Sequence, residues 1–254
     1  MTNDFKHIYG LIGMPLTHSF SQDFFNRKFH SEYINAEYLN FEIPNIKNLK
    51  DVIASNPNLQ GLNVTIPYKE QVIPFLDEID EGAKEIGAVN VIKFFIDKKG
   101  ERKMRGYNSD VIGFLDSIRT HLNPLRNKAL ILGTGGAAKA VAQAFKIAGV
   151  KVQFVSRTKK DNTITYDELT EDIMLQHLII VNTTPLGMYP NNESYPQIPY
   201  QYLTTEHLCY DLIYNPDETM FMKKSKSEGA ETKNGLEMLL LQAFVAWHIW
   251  TDKV

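Results

Sequence analysis

The sequence predicts an α/β protein of two domains, and three observations lead to that prediction. Short β-rich runs alternate with helical patterns along nearly the whole chain, which is typical of parallel strands joined by crossover helices. The 254 residues, 43% of them hydrophobic, provide enough chain for one large domain or two modest ones. A polar segment at residues 121–127 separates a helical pattern from a new strand, glycine turn and helix, and therefore indicates a domain boundary before it.

Eight runs are predicted to be strands from their β-branched and apolar content and from the turn residues that bound them. They are Ile8–Ile12, Glu37–Phe41, Gly61–Thr65, Ala88–Phe95, Lys128–Leu132, Lys151–Val155, Leu178–Asn182 and Leu208–Ile213. Apolar residues at helical spacing predict helices after Ser21, over Val111–Ile118 and over Ala137–Ala148. A last helix, Gly235–Trp250, is apolar on nearly every face, so we expect it to be buried.

Charge and composition disfavour several classes of function. The chain has 27 Lys and Arg against 30 Asp and Glu, so it has no overall positive field to attract nucleic acid or an anionic membrane. A small ligand is therefore favoured as the partner. The longest apolar stretch, Leu236–Trp250, is shorter than the ~18 residues of a membrane span and contains Glu237, Gln242 and His248. The sequence leaves both a monomer and a homodimer open.

Cysteine and histidine usage indicates a reducing compartment and no bound metal. Cys209 is the only cysteine, so it cannot form an internal disulfide. The chain opens on polar residues instead of the basic start and apolar run of an export signal. The seven histidines show no paired spacing of the kind that binds zinc. We therefore expect a cytoplasmic protein without a metal.

A glycine-rich turn follows the predicted strand Lys128–Leu132 and opens the alanine-rich helix, in the order that a dinucleotide-binding unit requires. The turn reads Gly133-Thr134-Gly135-Gly136-Ala137-Ala138. Gly133 would permit the tight turn, Gly135 would let the backbone approach a pyrophosphate, and Ala138 would let the helix pack close to its strand. The helix N-terminus would then face the phosphates, although such turns also occur without a ligand.

The loop after the next predicted strand indicates which dinucleotide is bound. Where an NAD-selective site would place an acidic side chain on the ribose hydroxyls, this chain has Ser156-Arg157-Thr158-Lys159-Lys160. An arginine can bind a 2′-phosphate with two hydrogen bonds and stack on adenine, so NADP is favoured over NAD. The alternatives are a solvated basic loop and, because Asp161 follows closely, continued use of NAD.

Polar residues of the first half form a second candidate site. Asn63 and Thr65 lie on one face of a predicted strand, and Lys69 follows its end, where open α/β sheets bind ligands. Taken alone, Lys69 would be an ordinary solvated lysine.

Two predicted helices begin at polar residues that can cap the helix or bind an anion. Ser109 or Asp110 can cap the helix that follows them. Ser19 and Gln22 have the spacing of a capping box, with Ser21 in the first turn. Serines at a helix N-terminus can also hold a carboxylate, because free N–H groups and hydroxyls are the donors such an anion needs.

Taken in order, these segments resemble the shikimate dehydrogenase family from one end of the chain to the other. The ordered set is far more specific than any single fingerprint. It comprises Gly13–Ser21, Asn63–Lys69, Gly87–Asn90, Gly106–Asp110, the turn at Gly133, Ser156–Thr158, Asn182–Met188, Tyr210–Pro216 and Asn234–Leu239, and it ends at Gln242.

The resemblance implies an NADP-dependent oxidoreductase that reversibly reduces 3-dehydroshikimate to shikimate, a step of aromatic amino-acid biosynthesis. It implies Lys69 and Asp110 as the catalytic pair, with Lys69 donating the proton. The substrate residues that it implies are Ser19, Ser21, Thr65, Asn90, Asp110, Tyr214 and Gln242. The residues that it implies for NADP(H) are Gly133, Gly135, Gly136, Ala137, Ser156, Arg157, Thr158, Lys159, Gly235 and Met238. A backbone carbonyl stays open as the partner of the Gln242 amide.

The resemblance also implies the division of the chain. Residues 1–106 with 235–254 would form an α/β substrate-binding domain, and 107–234 a Rossmann-type NADP-binding domain, with the C-terminal helix returning to the first domain. Ser109 and Ser156 depart from the threonine and asparagine usual in the family, and neither change removes a catalytic group.

Two other functions remain open from the sequence. One is a quinate/shikimate dehydrogenase with relaxed cofactor use, which Arg157, Thr158 and Lys159 argue against. The other is a non-catalytic binding module of the same fold, which intact Lys69 and Asp110 argue against.

Overall fold

The computed structural model describes residues 7–16 and 20–252, and the chain divides into two compact units. The first unit takes the described residues up to Ser109 and those from Ala243 onward, and the second unit is Asp110–Gln242. Each unit is built on a six-stranded sheet. The predicted α/β class is therefore confirmed.

The sheet of the first unit has the strand order β2-β1-β3-β5-β6-β4. Its strands are β1 His7–Gly13, β2 Ala36–Glu42, β3 Leu59–Val64, β4 Glu78–Ile79, β5 Val91–Ile96 and β6 Arg102–Tyr107. β1 pairs in parallel with β2 and β3, whereas β5 runs antiparallel to both β3 and β6. β5 and β6 depart from the parallel strands and crossover helices that the alternation predicts for most of the chain, because a tight turn, in which Gly100 N–H donates to Asp97 O, joins them directly.

Aromatic residues pack the helices of the first unit against this sheet. The helices are α1 Phe20–Ser31, α2 Leu49–Ser55, α3 Glu81–Ile86 and the end of α8 Leu236–Trp250. Phe25 of α1 lies 5.3 Å from Trp250, centroid to centroid, and Tyr9 of β1 lies 4.9 Å from the same indole. Trp250 Nε1 donates to Ile92 O at 3.0 Å, so the end of α8 is fixed on the sheet.

Gly61 of β3 marks the point where this indole meets the sheet. A Cβ atom at Gly61 would overlap Trp250 Nε1. Gly61→Ala is therefore expected to lower the free energy of unfolding by about 1–3 kcal/mol, because Trp250 is held by a hydrogen bond and by packed rings. Urea titration of this variant beside Gly82→Ala, whose Cβ would meet only the Asp80 carboxylate at 3.2 Å, measures the effect. Equal stability of the two variants would contradict it.

The sheet of the second unit is entirely parallel, in the order β12-β11-β10-β7-β8-β9. Its strands are β7 Lys128–Leu132, β8 Lys151–Ser156, β9 Thr163–Thr165, β10 Ile179–Asn182, β11 Leu208–Asp211 and β12 Glu231–Lys233. Its helices are α4 Asp110–Ile118, α5 Gly136–Ala148, α6 Glu171–Gln176, α7 Met220–Ser227 and the start of α8. β10 is buried along its whole length, as a central parallel strand covered on both faces should be.

All eight predicted strands are present, and four further strands were not predicted. These are β4, β6, β9 and β12, which are two to six residues long and contain no fully buried run. β6 carries Arg102, Lys103 and Arg105 and forms through its pairing with β5. Within residues 7–16 and 20–252, no helix has the length and apolar content needed to cross a membrane.

Candidate active site and cofactor site

A chain of buried hydrogen bonds in the first unit links α1 to the residue that precedes α4. The Ser21 side chain bonds to Tyr38, and Tyr38 Oη donates to Asn63 Oδ1 at 2.7 Å. Asn63 Nδ2 reaches Asn90 O at 3.4 Å, and Asn90 Nδ2 donates to Ser109 Oγ at 3.0 Å. Burial raises the pKa of Tyr38 well above its ordinary value, so its phenol stays a donor. We call these five residues the polar chain.

Asn90 fixes the polar chain through hydrogen bonds of both its backbone and its side chain. Its backbone O accepts from Val64 N–H at 2.8 Å, and its backbone N–H donates to Tyr107 O at 3.0 Å. Its side-chain Oδ1 accepts from Ser109 N–H at 2.7 Å. Because both ends of the amide are bonded, the Asn90 side chain has one orientation and holds Ser109 in place.

Lys69 lies in the turn that follows β3. The strand ends at Val64, so Thr65, predicted as its last residue, is the first residue beyond it, where its N–H donates to Ile12 O. The backbone O of Lys69 accepts from Val89 N–H at 2.8 Å, which places Lys69 beside the residue that precedes Asn90. Lys69 is half-buried.

Ser109 and Asp110 stand at the start of α4, and both are buried. Ser109 is the residue immediately before the helix, in the position that the sequence assigned to a cap, and its bonds to Asn90 show what else holds it there. Ser21 lies in the first turn of α1, whereas Ser19 lies outside the described residues.

The glycine turn of the second unit lies at the switch point of its sheet. β7 has β8 on one side and β10 on the other, and the crevice beyond the carboxyl ends of such strands is where open α/β sheets bind ligands. Gly133 has φ +113°, a conformation that residues with a side chain rarely adopt. A Cβ there would also stand 2.7 Å from Thr183 Oγ1, which donates to Leu132 O.

The N-terminus of α5 fits a pyrophosphate. Gly135 precedes the helix and has no side chain to cap it, and the first turn, which begins with Gly136 and Ala137, contains no acidic residue. The first N–H groups of a helix have no partner within the helix. No described atom lies within 4 Å of the position that a Cβ of Gly135 would take. Packing among the described residues therefore does not require glycine at this position, and the open space leaves room for a phosphate group.

The basic loop begins where β8 pairs with β9. Ser156 is opposite Thr165 in register, and Arg157, Thr158 and Lys159 follow with exposed side chains. Lys159 Nζ lies 2.5 Å from an oxygen of Glu168, an acid that the sequence analysis did not consider.

The remaining predicted residues lie along the carboxyl side of β11 and the start of α8. Tyr214 is half-buried, which raises its pKa. Gly235 N–H donates to Ile213 O, and a Cβ at Gly235 would overlap Leu212 O, so packing alone requires this glycine. Met238 is buried, and Gln242 Nε2 donates to Leu239 O at 2.9 Å, the backbone partner that the sequence left open.

A buried carboxylate that the sequence analysis left without a role joins two loops of this unit. Asp211, at the end of β11, accepts from Asn182 Nδ2 at 3.0 Å, Thr219 Oγ1 at 2.6 Å and Ile213 N–H at 3.1 Å. Burial nevertheless raises the pKa of Asp211 to about 6. Asn182 in turn accepts from Thr184, in the loop that follows β10.

Comparison with known proteins identifies what this chain is similar to. The family model of the shikimate dehydrogenase substrate binding domain matches residues 11–92. The shikimate dehydrogenase (NADP(+)) of Desulforamulus reducens is 36% identical to the chain, and the match covers 98% of this chain and 91% of that protein.

Two crystal structures extend the likeness to both units. Shikimate dehydrogenase from Aquifex aeolicus is 37% identical, with a TM-score of 0.84 and coverage of 99% of this chain and 95% of that one. The enzyme from Thermus thermophilus in complex with NADP(H) and shikimate is 28% identical, with a TM-score of 0.83 and coverage of 97% and 94%. With more than a third of positions identical to the Desulforamulus and Aquifex enzymes along nearly its full length, this chain belongs to the shikimate dehydrogenase family.

Proposed function

We propose that this chain catalyses the reversible, NADP-dependent reduction of 3-dehydroshikimate to shikimate, with Lys69 and Asp110 as its catalytic pair. The residue assignment depends on Asn90, whose side chain is held in one orientation. Its neighbour Val89 bonds the backbone of Lys69, and its side chain bonds Ser109, the residue before Asp110. The adjacent residues Val89 and Asn90 therefore hold the backbone of Lys69 and of Ser109, the residue before Asp110.

Lys69 is the proton donor in this proposal. NADPH, when bound, supplies the hydride to the ring carbonyl carbon. The oxygen then needs a proton, which the Lys69 ammonium donates, and Lys69 takes it back in the oxidation of shikimate. Asp110 orients the ammonium and accepts a hydrogen bond from a ring hydroxyl.

The other polar residues bind the substrate. Ser19 and Ser21 would hold its carboxylate, and Thr65, Asn90, Tyr214 and Gln242 would contact its carboxylate or ring hydroxyls. The polar chain supports this assignment for Ser21 and Asn90, because its hydrogen bonds fix both side chains before substrate arrives. Such preorganisation reduces the entropy lost on binding.

The second unit would hold NADP. Gly133, Gly135, Gly136 and Ala137 would surround the pyrophosphate, and the open space at Gly135 supports that placement. Gly235 and Met238 would pack on the nicotinamide. Ser156, Arg157, Thr158 and Lys159 would bind the adenosine end, with the Arg157 guanidinium on the 2′-phosphate.

A spectrophotometric assay tests the proposed reaction. Shikimate with NADP⁺ should generate reduced cofactor, whereas quinate, or NAD⁺ in place of NADP⁺, should give lower kcat/KM. Comparable kcat/KM for quinate and NAD⁺ would favour the relaxed quinate/shikimate dehydrogenase. Absence of turnover with every pair would favour a binding module.

Arg157→Ala tests the adenosine end. We expect the KM for NADP⁺ to rise by about tenfold to a hundredfold, since hydrogen bonds to a charged group contribute about 1.5–3 kcal/mol. The KM for NAD⁺ should change little, because NAD⁺ has no 2′-phosphate. Lys151→Ala removes a cation from the first residue of β8, the strand that Arg157 follows, and is the control. Equal effects of Arg157→Ala on both cofactors would contradict the assignment.

A further inference from the structure

Lys159, one of the two cations that the family resemblance assigns to the cofactor, is already paired with a carboxylate. Lys159 Nζ lies 2.5 Å from Glu168 Oε1. An ion pair of this kind presents almost no net charge to an approaching phosphate. Lys159 therefore adds less attraction for a 2′-phosphate than its position after β8 suggests.

The structure holds the Glu168 carboxylate in place from its other oxygen. Glu168 Oε2 accepts from Thr165 N–H at 2.6 Å and from Thr165 Oγ1 at 3.1 Å, as the last residue of a short 3-10 turn, Tyr166–Glu168. The first of these bonds, together with the bond from the backbone N–H of Glu168 to the Thr165 side chain, forms a capping box, which fixes the direction of the Glu168 side chain. Lys159 and the Thr165 bonds also lower the pKa of Glu168, so the group is ionised at neutral pH.

The fixed charge stands beside the proposed adenosine site. Thr165 pairs in register with Ser156, the residue before Arg157. Arg157 is close enough to the same turn for its charge to act on Tyr166, whose pKa it lowers against the larger opposing effect of burial. Glu168 is therefore a negative charge on the turn that faces the basic loop.

We infer that Glu168 is a specificity-determining residue, whose carboxylate weakens the preference for a 2′-phosphate over a 2′-hydroxyl. It acts by pairing with Lys159 and by repelling the phosphate, which carries a charge of about −1.5 to −2 near neutral pH. A ribose hydroxyl has no such charge and can donate to a carboxylate. The inference rests on the proposed function, because it takes the adenosine end of the cofactor to lie at this loop.

Glu168→Gln isolates the charge. Glutamine also serves as the third helical residue of a capping box, so its amide oxygen can keep the bond from Thr165 N–H. The ratio of kcat/KM for NADP⁺ to that for NAD⁺ is expected to rise by about two- to fivefold, the range that corresponds to an exposed ion pair. The rise should come from the KM for NADP⁺ and should shrink between about 0.05 and 0.5 M NaCl, because salt screens exposed charges.

Binding provides a readout that does not depend on turnover. Calorimetric titration with adenosine 2′,5′-bisphosphate and with adenosine 5′-monophosphate should show tighter binding of the bisphosphate alone in Glu168→Gln. Glu171→Gln removes a carboxylate three residues further along, at the start of α6, and should leave both affinities unchanged. In a chain that also carries Lys159→Gln, the gain from Glu168→Gln should be smaller, because only the repulsion of the phosphate is then removed.

The outcomes separate the role of Glu168 from the proposed reaction. An unchanged or reduced ratio in Glu168→Gln, with shikimate turnover intact, overturns the role of Glu168 and leaves the function standing. A loop that does not contact the cofactor would give the same unchanged ratio, and that result also overturns the role of Glu168. A selective gain for the bisphosphate without turnover of any substrate supports the role of Glu168 and overturns the proposed reaction.

Discussion

Lys69→Ala is expected to lower kcat about 10²- to 10⁴-fold, while the KM for shikimate rises far less. That range is the usual contribution of a positioned general acid or base. A small change in KM is expected because the amine acts mainly in the transition state, when charge develops on the oxygen. Steady-state rates of shikimate oxidation with saturating NADP⁺ measure both constants.

Lys84→Ala is the matched control for this variant. Lys84 is an exposed lysine of α3 in the same unit, and its removal changes the net charge equally. Its kcat and KM should stay within twofold of the parent values. If Lys69→Ala keeps the parent kcat, Lys69 does not transfer the proton, and another donor must be sought among the buried polar groups around Asn90.

The elements that could be predicted are those with a local sequence pattern. Examples are β7 and β10, which are apolar runs, and the glycine turn, which precedes an alanine-rich helix. β6 was not, since three of its six residues are cationic and its strand conformation comes from pairing with β5. The turn at Asp97 and Gly100 was the available signal for the antiparallel hairpin.

Side chains of the site that depend on tertiary contacts could not be predicted either. Asn90 and Ser21 were predicted through the family resemblance, whereas Tyr38, which links Ser21 to Asn63, was not predicted. A tyrosine in a β-rich run resembles any core aromatic, and only the fold brings its hydroxyl to within 2.7 Å of Asn63. Glu168 was missed for a similar reason, because its position depends on the register of β8 and β9.

Asp211 provides the second large expected effect, which appears as a dependence of stability on pH. The Asp211 carboxyl has a pKa of about 6 in the folded chain, above its ordinary value of 3.8. Between these values the folded state binds more protons than the unfolded state, so this group makes stability fall as pH rises from about 4 to 6. The full cost at pH 7 is about 3 kcal/mol, at 1.36 kcal/mol for each unit of pKa.

Asp211→Asn should remove this cost, because asparagine does not ionise. The unfolding free energy of Asp211→Asn minus that of the parent is expected to rise by about 2–3 kcal/mol between pH 4 and pH 7. Asp211→Ala should instead be less stable than Asp211→Asn at every pH, since it leaves the Asn182, Thr219 and Ile213 donors without this acceptor.

Cys209 offers a probe of unfolding in the same unit. It is the only cysteine of the chain, it is fully buried on β11, and burial raises the pKa of its thiol to about 12. Its labelling by a disulfide reagent that reacts in acid, measured at each urea concentration, reports opening of this strand. Asp167→Asn removes an exposed carboxylate of the second unit as control. A difference between Asp211→Asn and the parent that stays constant from pH 4 to 7 would show that the network already compensates the buried charge.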